Sequence, residues 1–190
     1  MQWTTTKLIT IGGLGVIMVL AGLLGNALVA ITGIPGVGSF INSFLGVIVY
    51  AFCALLIRKF GAVAIMGVVY GILALPLPSM GTPGFFPKIL IAGMVGLTVD
   101  LVYQIFKKKE KLAAIIIGID VNIIGILILA GFFKIFKVPG AEKFIKIFVS
   151  PLIAVMIILG ILGGLVGYLI LKKIKHTSVV KRIQGEQQLA

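Results

Sequence analysis

Long apolar stretches alternate with short polar or glycine- and proline-rich segments along most of the chain. Each stretch approaches or reaches the ~17–25 residues that a helix needs to cross a bilayer. No stretch alternates apolar and polar residues with the period of two that membrane barrel strands show. The pattern predicts an all-α integral membrane protein, with one bundle of six transmembrane helices over residues 1–175. The predicted spans cover approximately residues 8–31, 41–57, 60–77, 88–106, 112–133 and 147–171.

Composition agrees with this pattern. Of the 190 residues, 60% are hydrophobic and 12% are charged, and the mean hydropathy is +1.24. Soluble domains average roughly 25% charged residues, so most of this chain is predicted to lie in lipid. Residues 176–190 are predicted to form a polar cytoplasmic tail.

The distribution of lysine and arginine predicts the orientation. With the N-terminus in the cytoplasm, twelve of the 17 basic residues lie on the cytoplasmic side, chiefly at 58–59, 107–111 and 172–182. The positive-inside rule therefore places both termini in the cytoplasm. The net charge of +12 would suggest nucleic acid in a soluble protein, but these residues flank apolar spans. We expect contact with anionic lipid headgroups and no nucleic-acid partner.

The sequence contains none of the common signatures of catalysis. It has one cysteine, Cys53, and one histidine, His176, and it lacks a phosphate-binding Gly-Lys-Ser/Thr loop. We expect no enzymatic activity, no cofactor and no metal site, and any ATP-driven step would need another subunit.

Two carboxylates lie inside predicted spans. Asp100 is in the fourth span and Asp120 in the fifth, on neighbouring helices. Because ionised groups in lipid are costly, each needs a partner or a function. One interpretation is proton or cation coupling; the other is pairing with nearby lysine or arginine, or contact with a partner protein.

Polar residues towards the outer side form a candidate binding site for a small molecule. Amide, hydroxyl and phenol groups bind polar ligands without placing net charge in lipid. Hydrogen bonding between helices, snorkelling of the lysine and interfacial anchoring of the aromatic rings are the structural alternatives. The predicted polar residues are Asn26, Asn42, Tyr70, Lys88, Asn122 and Ser150, with Phe40 and Phe85 as a lid.

Small residues recur four positions apart in several spans. Such pairs let two helices approach closely. Gly160/Gly164 and Gly163/Gly167 form the densest strip, which would pack either inside the bundle or against a partner.

Three stretches between residues 33 and 111 form a recognisable pattern. The first outer loop and second span read GIPGVGSFINSFLGVIVYAF. A short turn, Arg58-Lys59-Phe60-Gly61, precedes a glycine-rich third span. The fourth span, with its lysine and glycines, reads GFFPKILIAGMVGLTVDLVYQIFKKKEK. In these stretches the region from residue 33 to 111 resembles the substrate-binding (S) component of energy-coupling factor (ECF) vitamin transporters.

The resemblance implies a six-span protein in the plasma membrane of a prokaryote. It implies a vitamin-like solute bound on the outer side by spans four to six, under the first outer loop. It also implies docking onto a transmembrane scaffold subunit driven by two ATPase subunits. Gln2 replaces the histidine that nickel and cobalt members carry after the initiator methionine, which argues against a metal cargo. The positions nearest to the family's docking strip on span one are Gly12, Gly15, Ala21 and Gly25.

The sequence thus predicts a membrane-embedded subunit that captures a small organic nutrient for ATP-driven uptake by its partners. Two other functions stay open. One is a stand-alone proton-coupled carrier that uses Asp100 and Asp120, and the other is a membrane scaffold without a small-molecule ligand.

Overall fold

The computed structural model describes residues 3–33, 35–138, 142 and 151–185, and these residues form seven helices. Five of them, α1, α2, α4, α5 and α6, are long and apolar enough to cross a membrane. The prediction of a helical membrane protein is therefore confirmed. The helices are α1 (Thr5–Thr32), α2 (Pro35–Ile57), α3 (Ala62–Leu73), α4 (Pro87–Phe106), α5 (Glu110–Ile135), α6 (Leu152–Ile174) and α7 (Ser178–Gln184).

Contacts between helices show which of them run in the same direction. Successive helices from α1 to α6 are antiparallel, because later residues of one lie beside earlier residues of the next. Helices α2 and α6 are parallel, as are α1 and α3. The contacts that show this include Gly71–Ile89 and Gly67–Ala92 (α3–α4), Thr98–Asp120 (α4–α5), Gly118–Gly160 and Ala114–Gly164 (α5–α6), and Gly163–Phe44 and Gly167–Ile48 (α6–α2).

Helix α3 is shorter than its predicted span. The sequence predicts residues 60–77, whereas the helix covers the 12 residues Ala62–Leu73 and turns follow until α4 begins. Pro76 and Pro78 account for the early end, since proline disfavours helical conformation in the residue before it and lacks a backbone N–H. At the other end, Gly61 has a φ of 87°, a left-handed conformation that glycine adopts without strain.

Helix α6 packs into the bundle through glycines on two faces. Gly160 and Gly164 lie against the backbone of α5, and a Cβ built on Gly160 would be 2.3 Å from the carbonyl oxygen of Gly118. Gly163 and Gly167 lie against the backbone of α2. The densest glycine strip of the sequence therefore packs inside the protein.

The predicted polar tail contains a short amphipathic helix, α7. Thr177 caps it by accepting a hydrogen bond from the Val180 backbone N–H (3.5 Å), and Val180 and Ile183 are buried. Gln184 donates a hydrogen bond to the Leu56 carbonyl at the end of α2 (3.5 Å). These two apolar residues are three positions apart and lie on the buried face of the helix. A prediction from composition alone does not detect such spacing.

The basic segments meet at one end of the bundle, here called the basic end. Lys59 in the α2–α3 turn lies 4.1 Å from the ring centroid of Trp3, just before α1. Arg58 in the same turn forms an ion pair with Glu110 at the start of α5. The α1 start and the α2–α3 and α4–α5 turns therefore lie close together.

Candidate functional site

A cavity of about 650 Å³ lies in the half of the bundle away from the basic end. Its walls come mainly from α2, the first half of α4, the second half of α5 and the loop over residues 78–83, and α1, α3 and α6 contribute one residue each. Ligand pockets typically have volumes of ~300–1,000 Å³, so this cavity is large enough for a small organic molecule. Its polar lining residues are Ser39, Asn42, Ser43, Tyr50, Tyr70 and Thr82.

The described part of the lining carries no charged side chain. Between the polar groups lie apolar side chains such as Met18, Met80, Ile91, Phe133 and Met156. Such a surface suits an organic ligand with an apolar body and a few hydrogen-bonding groups.

Asn42 contributes hydrogen-bonding capacity that the protein leaves unused. Its Oδ1 is buried and has no hydrogen-bond partner among the described residues, which is unusual for a buried polar atom. The side chain lies over Gly25 of α1, where a Cβ would be 2.0 Å from Oδ1. Turning the amide towards the cavity would allow it to bind a ligand donor.

The polar residues of α2 share one face of that helix. Ser39, Asn42, Ser43, Gly46 and Tyr50 have the spacing i, i+3, i+4, i+7 and i+11 that places residues on one helix face, and all of them line the cavity. Of these, the pocket predicted from the sequence included only Asn42. The spacing was visible in the sequence and would have identified Ser43 and Tyr50 as well.

Asn122, a predicted ligand contact, instead links three helices. It is 3% exposed, and its Nδ2 donates to the Met156 carbonyl of α6 at 2.6 Å. Its Oδ1 accepts from the Ser43 hydroxyl of α2 at 2.5 Å. Asn122 thus lies behind the cavity wall and positions Ser43, which does line the cavity.

Lys88 is directed away from the cavity. It is 0% exposed, and its Nζ donates to the carbonyl oxygens of Ala74 (3.2 Å) and Leu77, just beyond the end of α3. A cation is favourable at a helix C-terminus because the helix dipole is negative there. Lys88 is therefore not among the described lining residues of the cavity.

The other predicted site residues have different locations. Tyr70 lines the cavity, whereas Asn26 and Phe40 do not. Phe85 packs edge to face against Phe133 (6.0 Å between centroids) and Phe136 (5.9 Å), so it lies behind a lining residue. Ser150 lies outside the described residues.

Comparisons with known proteins add no further identification. A scan of protein-family models, a search of curated proteins and a search of solved structures found no match. The cavity and the sequence pattern are therefore the basis for a functional proposal.

The two intramembrane aspartates have separate partners and do not line the cavity. Asp100 is 1% exposed and accepts hydrogen bonds from the backbone N–H groups of Val63 (3.3 Å) and Ala64 (3.0 Å). Asp120 accepts one from the Thr98 hydroxyl (2.8 Å). The predicted pairing with lysine or arginine is wrong for Asp100, which caps the N-terminus of α3.

Most of the predicted docking strip on α1 faces the protein's own interior. Gly15, Ala21 and Gly25 are buried. Gly15 lies against Val69 of α3, where a Cβ would be 2.8 Å from its Cγ1. These three residues pack against other helices of the same chain, and their role in docking stays a prediction. Gly12 differs, because a Cβ added there would have no heavy atom of the described residues within 4 Å.

Proposed function

We propose that the protein is the membrane-embedded substrate-binding subunit of an ECF-type transporter and holds a small organic nutrient in the cavity. The cavity of about 650 Å³, with its uncharged polar groups, is the observation that supports this proposal most directly. The resemblance of residues 33–111 to S components provides the class of transporter. The subunit itself performs no catalysis.

The proposed topology places the cavity on the outer side. All six apolar helices cross the plasma membrane of a prokaryote, and the turns over residues 74–86 complete the crossing that α3 begins. The basic end then faces the cytoplasm, in keeping with the positive-inside rule, and both termini lie there. A transmembrane scaffold subunit and two ATPase subunits would supply the energy for release.

Identification of the bound molecule tests the proposal. The protein would be purified from its native membrane, and mass spectrometry would identify co-purifying small molecules and subunits. We expect one enriched organic solute, and uptake into proteoliposomes only when ATP and the partner subunits are present. Proton-driven uptake by this chain alone would indicate a carrier, and the absence of any ligand would indicate a scaffold.

Truncation of Asn42 is expected to weaken ligand binding. Asn42→Ala removes an amide from the lining, and a lost hydrogen bond of about 1.4 kcal/mol corresponds to roughly tenfold weaker affinity. Calorimetry with the identified solute would measure this. Asn26→Ala is the matched control, since Asn26 does not line the cavity and its replacement should leave the affinity unchanged. If Asn42→Ala and Asn26→Ala bound the solute with equal affinity, Asn42 would not be a ligand contact.

Adding one methyl group at Gly25 is expected to displace the Asn42 side chain of the cavity lining. In Gly25→Ala the new Cβ would be 2.0 Å from Asn42 Oδ1, so the amide must move. We expect the solute affinity to change, because the amide moves relative to the cavity, and the unfolding temperature to stay close to that of the wild type, because a side-chain terminus can shift. Gly13→Ala is the control, since a Cβ there has no neighbour within 4 Å. Unchanged affinity in Gly25→Ala would show that the position of Asn42 does not matter.

A further inference from the structure

A second concave surface lies at the basic end, between the α4–α5 turn and the end of α6. It has a volume of about 600 Å³ and is here called the lysine groove. Four of its lysines lie in the α4–α5 turn and the first turn of α5. The fifth follows directly after the last residue of α6. The five are Lys107, Lys108, Lys109, Lys111 and Lys175.

The positive charge of the lysine groove is not compensated by the described residues. Its one acidic lining residue, Glu110, forms an ion pair with Arg58 of the α2–α3 turn. Over residues 3–33, 35–138, 142 and 151–185 this is the one ion pair, so no carboxylate in these ranges lies within 4 Å of any of the five lysines. Five cations around one concave surface repel one another unless an anion binds there.

The remaining lining is apolar or aromatic. Leu112 and Ile115 belong to the first two turns of α5, and Tyr168 lies on α6 about two turns before Lys175. The groove therefore passes from a charged rim to apolar and aromatic side chains on two helices that are long and apolar enough to cross a membrane. A free phosphate matches only the rim, whereas a phospholipid matches both parts.

We propose that the lysine groove binds an anionic phospholipid of the surrounding bilayer. The lysine ammonium groups contact the phosphodiester, and an acyl chain follows Leu112 and Ile115. Basic pockets between transmembrane helices are suited to such headgroups. Topology alone explains lysines beside a span, but it does not explain why Lys175 converges on the α4–α5 turn around an apolar surface. This inference does not depend on the proposed transport function.

Native mass spectrometry of the full-length protein in neutral detergent would test the proposal. Phosphatidylglycerol and phosphatidylcholine would be added at equal concentration. The groove variant carries Lys107→Gln, Lys109→Gln, Lys111→Gln and Lys175→Gln. The control variant removes four charges from the same end of the chain, outside the groove, through Lys172→Gln, Lys173→Gln, Lys181→Gln and Arg182→Gln.

We expect the wild type and the control variant to bind phosphatidylglycerol at least about tenfold more tightly than phosphatidylcholine, and the groove variant to lose this preference. Lys175→Glu with Lys172→Glu as control repeats the comparison with single substitutions if the groove variant fails to fold. Equal loss in both four-site variants would overturn the proposal, because it would show a general charge effect.

Two further outcomes would also overturn it. Inorganic pyrophosphate that binds the detergent-solubilised protein and fully displaces phosphatidylglycerol would show that the occupant is a soluble phosphate. Retention of the lipid preference in the groove variant, together with loss of co-purifying subunits, would show that the lysines bind a partner protein.

Discussion

Gly160→Val is expected to disrupt the packing of α5 against α6 and to lower the free energy of unfolding by more than about 3 kcal/mol. Even the first added atom, the Cβ, would be 2.3 Å from the Gly118 carbonyl oxygen and 2.6 Å from Asn122 Nδ2. The backbone cannot yield as a side-chain terminus can, so the helices must separate. Separation would also break the hydrogen bond from Asn122 to Met156 that supports the cavity wall.

The stability of detergent-solubilised protein, measured as the fraction that stays monodisperse in size-exclusion chromatography after heating, would test this. Gly131→Val is the matched control, because Gly131 lies in α5 and a Cβ there has no neighbour within 4 Å. We expect that control to stay within about 0.5 kcal/mol of the wild type. A Gly160 variant as stable as the Gly131 variant would contradict the close α5–α6 contact.

The sequence predicted the existence of the helices well, because lipid leaves the backbone few alternatives. A spanning segment must satisfy its own hydrogen bonds, so a long apolar run becomes a helix. The bounds of α4, Pro87–Phe106, lie within one residue of the predicted 88–106. The end of α3 depended instead on the local effect of Pro76 and Pro78. Helix α7 was missed because a seven-residue helix with two buried apolar side chains has little average hydropathy.

The candidate site was harder to predict than the fold. Asn42 and Tyr70 were named and do line the cavity. Lys88 and Asn122 were also named, but their partners include the backbone carbonyls of Ala74, just beyond α3, and of Met156 in α6. The hydropathy pattern shows that a polar residue lies inside an apolar span and needs a hydrogen-bond partner. It does not identify that partner, because the partner depends on how the helices pack.

The partner of Asp100 likewise could not be predicted from the sequence, because it depends on the position of Asp100 relative to α3. Helix α4 runs antiparallel to α3 and carries Asp100 near the N-terminus of α3 and Lys88 near its C-terminus. Each charge lies at the end of the α3 dipole that stabilises it. Twelve positions separate the two residues in α4, and α3 has 12 residues, so one helix provides both contacts.

Asp100→Ala is therefore expected to destabilise the protein by about 3 kcal/mol, since it leaves the backbone N–H groups of Val63 and Ala64 without acceptors. Asp100→Asn keeps one carbonyl oxygen and should lose about half as much. Asp120→Ala, which removes a single hydrogen bond to Thr98, should cost about 1 kcal/mol. Thermal unfolding in detergent would rank the three variants. An Asp100→Ala variant that is more stable than the wild type would contradict a capping role, because loss of a cap lowers stability.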